Sequence, residues 1–155
     1  LMKKLIIILI VLTTIFSGCR YKEGPMISLR SAYKRIEGYW QIIEFTSNGV
    51  DSLKYYNDSC GALAFIGNFV DGTSDKRYKI VFNYMQPNAI ASNIKFNDKK
   101  DIMFIDFLTN QKHIIGPIGY GKSEWKILKL TNKQLKTSIY FNNLNYIILF
   151  KKTTL

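Results

Sequence analysis

The chain has 155 residues and a formal net charge of +11, with 22 Lys and Arg residues against 11 Asp and Glu residues. Hydrophobic residues make up 47% of the sequence, charged residues 21% and aromatic residues 14%, and only 3 residues are Pro. This composition excludes a disordered or collagen-like chain, and the length suits one domain rich in strand-favouring residues.

The first 18 residues have the layout of a secretory signal peptide. Lys3 and Lys4 precede an uncharged, mostly aliphatic run from Leu5 to Phe16. This run is shorter than the roughly 20 residues that a membrane-spanning helix needs. We therefore expect residues 1–18 to be absent from the mature protein.

The next motif, Phe16-Ser17-Gly18-Cys19, resembles the lipobox of bacterial lipoproteins. The resemblance implies that the Cys19 thiol receives a diacylglycerol, that cleavage occurs before Cys19, and that the new amine is acylated. Three acyl chains exceed the two hydrophobic signals that stable anchoring takes. Arg20 differs from the Asp that commonly retains such proteins in the inner membrane, and no acidic run for surface export follows it. The resemblance thus implies an outer-membrane anchor that faces the periplasm.

Residues 19–28 form the predicted lipidated tether, because they contain Gly24-Pro25 and no periodic apolar pattern. The segment Leu29–Ile36 predicts a short helix with Ser28 as its N-cap. From Glu37 onward, the apolar residues recur with a period of two, which is typical of strands. Residues 29–155 are therefore predicted to form one β domain.

Eight strands are predicted at a spacing of roughly ten residues. They are Tyr39–Thr46, Gly61–Phe69, Arg77–Tyr84, Ala89–Phe96, Ile102–Leu108, Trp125–Thr131, Leu135–Phe141 and Tyr146–Phe150. Turn residues separate them at Asn48-Gly49, Asp71-Gly72, Asn97-Asp98, Thr131-Asn132 and Asn142-Asn143. Sequential antiparallel strands that must hide their edges favour a closed up-and-down barrel over an open sheet.

The tripeptide Gly38-Tyr39-Trp40 resembles the G-x-W signature of lipocalins. Together with Asn48-Gly49-Val50-Asp51 and the late strand Trp125–Thr131, it resembles the small lipocalin-like lipoproteins of Bacteroidota-type Gram-negative bacteria. This resemblance implies an all-β, eight-stranded antiparallel lipocalin-like barrel with a short N-terminal helix. It also implies that Trp40 packs across the closed end beside Gly38. Arg35 and Lys152 are the candidates to cover the Trp40 ring.

Two functions remain open on the sequence. The first is a lipid-anchored binding protein that holds a small apolar or amphipathic molecule inside the barrel, lined by Ile80, Phe82, Phe96, Phe104 and Ile139. The second is a structural or protein-interaction lipoprotein, with a barrel filled by its own side chains and no ligand. The cavity volume distinguishes the two.

Several other motifs have simpler interpretations. Gly116–Ser123 satisfies the Walker A pattern, but strand-forming residues follow it where a phosphate-binding helix is required. His113 is the only histidine, so no His-based metal cluster is expected. With Cys19 acylated, Cys60 is the only free cysteine, so no intrachain disulfide is expected. We expect no enzymatic activity, cofactor, metal, nucleotide or nucleic acid. Asp51-Ser52-Leu53 resembles a bacterial O-glycosylation motif, and the sequence leaves the modification of Ser52 open.

Overall fold

The computed structural model describes residues 30–60, 63–69, 77–82, 89–107, 116–119 and 121–154. The helices in these ranges are α1 (Ala32–Ile36) and α2 (Leu53–Cys60). The strands are β1 (Gly38–Ser47), β2 (Val50–Asp51), β3 (Leu63–Phe69), β4 (Arg77–Phe82), β5 (Ile90–Phe96), β6 (Ile102–Phe107), β7 (Lys122–Leu130), β8 (Gln134–Phe141) and β9 (Leu144–Thr153). Neither helix is long and apolar enough to cross a bilayer, as far as the described ranges extend.

The strands form a closed barrel. Each strand from β3 to β8 pairs antiparallel with the next one in sequence, and β1 pairs with both β3 and β9. The short strand β2 only extends the hairpin after β1, so eight strands make the wall. Closure removes the unpaired edges that an open sheet would expose. The predicted all-β, eight-stranded antiparallel barrel with a short N-terminal helix is confirmed.

The core of the protein is the inside of this barrel. Along β5, buried residues alternate with partly exposed ones, and β8 shows the same alternation. Successive side chains of a strand point to opposite faces, so one face of each strand fills the interior while the other meets solvent. The wall strands and the core cluster of the described residues all lie between residues 30 and 154.

Two hairpin turns use left-handed backbone conformations at both central residues. Asn48 and Gly49 have φ angles of 47° and 81°, and Asn142 and Asn143 have φ angles of 49° and 62°. Tight hairpins favour such turns because their twist matches that of the strands. Both turns were predicted from these residue types, whereas the predicted turn at Asp71-Gly72 lies outside the described residues.

The predicted N-terminal helix is present, but its predicted start and N-cap are wrong. Helix α1 begins at Ala32 and not at Leu29, and its N-cap is Ser31, whose hydroxyl accepts a hydrogen bond from the Lys34 amide at 3.3 Å. Ser28 and Ser31 both carry a capping hydroxyl, so residue type alone does not distinguish them.

Helix α2 interrupts the strand periodicity that was predicted to continue from Glu37. The Asp51 carboxylate accepts a hydrogen bond from the Leu53 amide at 2.9 Å, which satisfies one free N–H at the helix start. The Tyr56 amide then donates to the Ser52 carbonyl at 3.0 Å. The predicted strand Gly61–Phe69 therefore begins only at Leu63 in the described residues.

Candidate functional site

Four of the five side chains proposed to line a cavity are buried inside the barrel. Ile80 and Phe82 are completely buried on β4, while Phe96 and Ile139 are 4% and 1% exposed on β5 and β8. They belong to the continuous core cluster. Whether these residues line a cavity or form part of a filled core depends on how much of the interior the other side chains occupy.

Phe104 is the exception, and its predicted inward orientation is wrong. Its side chain is 39% exposed, whereas Met103, Ile105 and Phe107 on the same strand are buried. Strand β6 is apolar at nearly every position, so the sequence does not define which alternate set faces inward. The register places Phe104 between Lys95 and Glu124, on the outer face of the barrel.

Aromatic rings cross the interior of the barrel. The ring centroid of Phe82 on β4 lies 5.9 Å from that of Trp125 on β7, and Trp125 lies 6.3 Å from Phe150 on β9. Phe107 on β6 lies 6.2 Å from Phe82. Because β4, β7 and β9 are not neighbours in the sheet, these contacts span the barrel. The middle of the interior is therefore occupied by the protein's own side chains.

The base of the barrel, the end at which β1 begins, is closed by Trp40 and α1. Trp40 is completely buried, and its indole Nε1 donates to the Ile36 carbonyl. The buried Arg35 guanidinium donates to the Leu130 carbonyl at 2.9 Å, which ties the helix to the end of β7. Gly38 has a φ of 128°, a conformation that residues with a Cβ rarely adopt.

Lys152 is the residue that covers the Trp40 ring. Its Nζ lies 5.0 Å from the ring centroid and donates to the Arg35 carbonyl at 3.1 Å. Burial lowers the pKa of the Lys152 ammonium below its ordinary value of 10.5, and the nearby Glu37 carboxylate acts in the opposite direction. A Cβ at Gly38 would lie only 2.9 Å from the Lys152 Cε, so the glycine also makes room for this side chain.

The opposite end, where β1 finishes, is also covered by described residues. Tyr56 of α2 is completely buried, and its ring stacks on Phe45 at a centroid distance of 4.8 Å. Ile118, in the turn at 116–119, is completely buried as well. A Cβ at Gly116 would lie 2.8 Å from the ring of Tyr146, so this turn passes close over that ring.

A large groove lies on the outside of the barrel wall, over strands β5, β6 and β7. This outer groove has a volume of about 950 Å³, within the range of about 300 to 1,000 Å³ typical of small-molecule sites. Two rows of outward residues cross β5, β6 and β7 in register. One row is formed by Lys95, Phe104 and Glu124, and the other by Asn93, Asp106 and Lys122.

One polar atom in the outer groove is left without a partner. The Asn93 Oδ1 atom is buried and accepts no hydrogen bond from the described part of the chain. A buried acceptor without a donor costs free energy. A molecule in the groove with an N–H or O–H group would satisfy it. Tyr33 and Tyr78 also line the groove, with their ring centroids 4.4 Å apart.

A smaller groove of about 520 Å³ continues from the first one toward β8, and both share Lys122 and Glu124. Its rim carries Tyr140, which is 73% exposed. The outer face of β5 to β8 therefore combines exposed aromatic rings with charges of both signs. The sequence prediction missed this surface because it placed Phe104 in the interior.

The remaining sequence motifs add no further site within the described residues. No group of three or more His, Cys, Asp or Glu side chains in those ranges could hold a metal ion. Lys122 and Ser123 of the Walker A pattern begin strand β7, so the segment lacks the helix that cradles phosphate. His113 and Cys19 lie outside the described residues.

Comparison with known proteins gives structural matches only. No protein-family model and no curated protein sequence matches the chain. The fold is similar to that of a lipocalin-like protein from Bacteroides uniformis, with 20% identity, a TM-score of 0.43, and coverage of 77% of this chain and 99% of that one. An uncharacterized protein from Bacteroides eggerthii matches with 19% identity, a TM-score of 0.41, and coverage of 76% and 99%.

Proposed function

We propose that this chain is a membrane-anchored cell-envelope lipoprotein whose barrel binds a small amphipathic molecule in the outer groove. The observation that carries the proposal is the distribution of space: aromatic rings cross the interior, whereas the outer groove offers about 950 Å³. The binding site thus differs from the internal cavity that the sequence suggested.

The chemistry of the outer groove suits an amphipathic ligand. The exposed Phe104 ring offers an apolar surface, and the cationic Lys95 and Lys122 flank it on the neighbouring strands. Asn93 provides an acceptor with no other partner among the described residues. An apolar chain over Phe104, with an anionic group near the lysines and an O–H or N–H group facing Asn93, would use all of these features. The proposal includes no catalytic step.

A fluorescent fatty acid tests the groove. We expect the probe to bind the wild-type protein at micromolar concentrations, and Phe104→Ser to weaken binding about tenfold, because the apolar platform is lost. Tyr55→Ser is the matched control, since Tyr55 is 67% exposed on α2, away from both grooves. Equal affinity of the Phe104 variant and the wild type for the probe would show that the outer groove is not the binding site.

A second variant distinguishes the groove from an internal ligand. Phe82→Ala removes one of the rings that fill the barrel and should create internal space. If the ligand bound inside, this variant would change the affinity for the fatty acid more than Phe104→Ser does. If the outer groove binds it, the Phe82 variant loses stability but keeps its affinity.

The membrane anchor is tested separately at Cys19. We propose that Cys19 carries the lipid, and that the protein is anchored in the outer membrane facing the periplasm, on the strength of the lipobox resemblance. Replacing Cys19 with Ala should abolish incorporation of radiolabelled fatty acid and release the protein from the membrane fraction. Rapid digestion by protease added to intact cells would place the protein on the cell surface instead.

A further inference from the structure

The base of the barrel carries an excess of exposed basic side chains. Arg30 and Lys34 lie at α1, Lys99 lies in the turn between β5 and β6, Lys133 lies in the turn between β7 and β8, and Lys151 lies near the end of β9. All five side chains are exposed. We call this set the basic rim: Arg30, Lys34, Lys99, Lys133 and Lys151.

Contacts between the elements hold much of the basic rim together. The Lys152 amide donates to the Lys133 carbonyl at 2.8 Å, and Gln134 pairs with Lys151 in the sheet, so Lys133 and Lys151 are close neighbours. The Lys152 ammonium donates to the Arg35 carbonyl, which connects the end of β9 to α1. These positions therefore belong to one continuous end of the barrel.

The acidic residues at this end do not cancel the charge. Glu37 pairs with Lys34 at an N–O distance of 3.6 Å and so offsets one charge of the basic rim. The Asp101 carboxylate accepts a hydrogen bond from the Asn97 side-chain amide at 2.6 Å and so faces its own turn. Asp98 is the exposed acid nearby. With Glu37, Asp98 and Asp101 against the five residues of the basic rim, the charge of the described residues at this end stays positive.

The position of the basic rim fits the proposed anchor. Helix α1 is the first described helix, so the chain approaches the barrel at this end. The ten residues from Arg20 to Leu29 can span at most about 35 Å. A lipid on Cys19 would therefore keep the base of the barrel within about 35 Å of the bilayer. Basic side chains near a bilayer attract anionic headgroups.

We propose that the basic rim is a docking surface for an anionic membrane, so that the barrel sits base-down on anionic lipid headgroups. The orientation rests on the proposed Cys19 anchor, whereas the affinity of the rim for anionic lipid does not. The bilayer would then lie against α1 and the turns at the base, while the outer groove on the barrel wall stays accessible.

The test uses the unlipidated chain from Arg20 to Leu155, because the barrel strands and core lie within residues 30–154. Vesicles of phosphatidylcholine alone are compared with vesicles that contain phosphatidylglycerol. We expect binding only to the anionic vesicles, with an affinity that falls as salt is raised, since salt screens exposed charges over about 8 Å at physiological strength.

A pair of variants with equal net charge locates the surface. The double variant Lys133→Gln, Lys151→Gln removes two positive charges from the basic rim, and Lys54→Glu removes the same net charge from α2 at the opposite end. Each rim lysine near an anionic bilayer contributes about fivefold to affinity. We expect the rim variant to bind about 25-fold more weakly, and Lys54→Glu to bind like the wild type.

Two results would overturn the docking surface. The first is equal weakening by the two variants, which indicates attraction by net charge alone. The second is binding to a soluble acidic polysaccharide without binding to anionic vesicles, which assigns the rim to a different polymer. Circular dichroism and thermal unfolding of each variant verify that the barrel is intact. Failure of fatty-acid labelling at Cys19, or of the groove probe, leaves these measurements unaffected because the chain used here carries no lipid.

Discussion

The two ends of the barrel are closed in different ways. At the base, hydrogen bonds join α1 to β1, β7 and β9: Trp40 donates to the Ile36 carbonyl, Arg35 to the Leu130 carbonyl and Lys152 to the Arg35 carbonyl. At the opposite end, Tyr56 of α2 stacks on Phe45, and Phe45 lies 5.8 Å from Tyr146.

The base is held by directional hydrogen bonds, whereas the α2 end is held by less directional apolar contacts. A buried hydrogen bond is satisfied in few geometries and is costly to leave unmade, so the base has one arrangement. Ring stacking and apolar burial are less directional and tolerate small shifts. We therefore expect the base to carry the larger share of the stability and the α2 end to adjust more readily.

The largest expected effect is that of Trp40→Ala. Truncating a fully buried aromatic side chain costs about 3 to 5 kcal/mol, and here it also removes the hydrogen bond to Ile36. Denaturant unfolding measures the loss. Tyr140→Ala serves as the control, because Tyr140 is 73% exposed and such a change should stay within about 0.5 kcal/mol. Equal stability of the two variants would contradict the role of Trp40 at the base.

Tyr56→Ala should cost less, about 2 to 4 kcal/mol. The ring is completely buried, but α2 contacts mainly β1, so the helix can move inward to fill part of the space. The same unfolding measurement, with exposed Tyr55→Ala as the control, gives the value. A larger loss for Tyr56 than for Trp40 would reverse the comparison between the two ends.

Arg35→Met probes the polar link between α1 and β7. The Met side chain keeps much of the apolar length but cannot donate to the Leu130 carbonyl. Hydrogen bonds from charged donors contribute about 1.5 to 3 kcal/mol, and we expect a loss in that range. Lys34→Met, at the exposed neighbouring position of the same helix, should change the stability little. No loss from Arg35→Met would show that apolar packing alone holds the base.

The smallest effect is the pH dependence contributed by Lys152. Its pKa in the folded protein lies below 10.5, so the native state binds fewer protons than the unfolded state in the pH window just below 10.5. The free energy of unfolding contributed by this group therefore rises with pH across that window. Lys152→Met should remove this contribution, so the unfolding free energy of the variant rises less with pH than that of the wild type in the window just below pH 10.5. A steeper rise in the variant would contradict the sign.

The base of the barrel was the part of the candidate site most accessible from the sequence. The resemblance of Gly38-Tyr39-Trp40 to the lipocalin signature predicted that Trp40 packs across this end beside Gly38, with Arg35 and Lys152 as the candidates to cover its ring. Only the structure shows which of the two cationic candidates, Arg35 or Lys152, covers the Trp40 ring. Lys152 lies over the Trp40 ring, whereas Arg35 reaches the Leu130 carbonyl.

The outer groove was not accessible from the sequence in this way. Phe104 lies in a strand with apolar residues on both faces, so the alternation of apolar and polar residues did not indicate which face Phe104 occupies. Bulges add to the difficulty, since a register shift between Ile42 and Glu44 lets Ile42 and Phe45 both face inward although they are three residues apart. Helix α2 was missed because only Tyr56 among its described side chains is buried, which leaves no helical apolar stripe.

The sequence by itself determined the class of this protein: a period of two across the chain, with turn residues between the strands, requires sequential antiparallel strands whose edges must be closed. Tertiary structure alone decided which face of β6 turns inward, that rings from β4, β7 and β9 meet inside the barrel, and that a large groove lies on the outer wall. The reason is physical, because alternation is a local property of one strand. The filling of a barrel depends on side chains from strands far apart in sequence that meet only after the wall has closed.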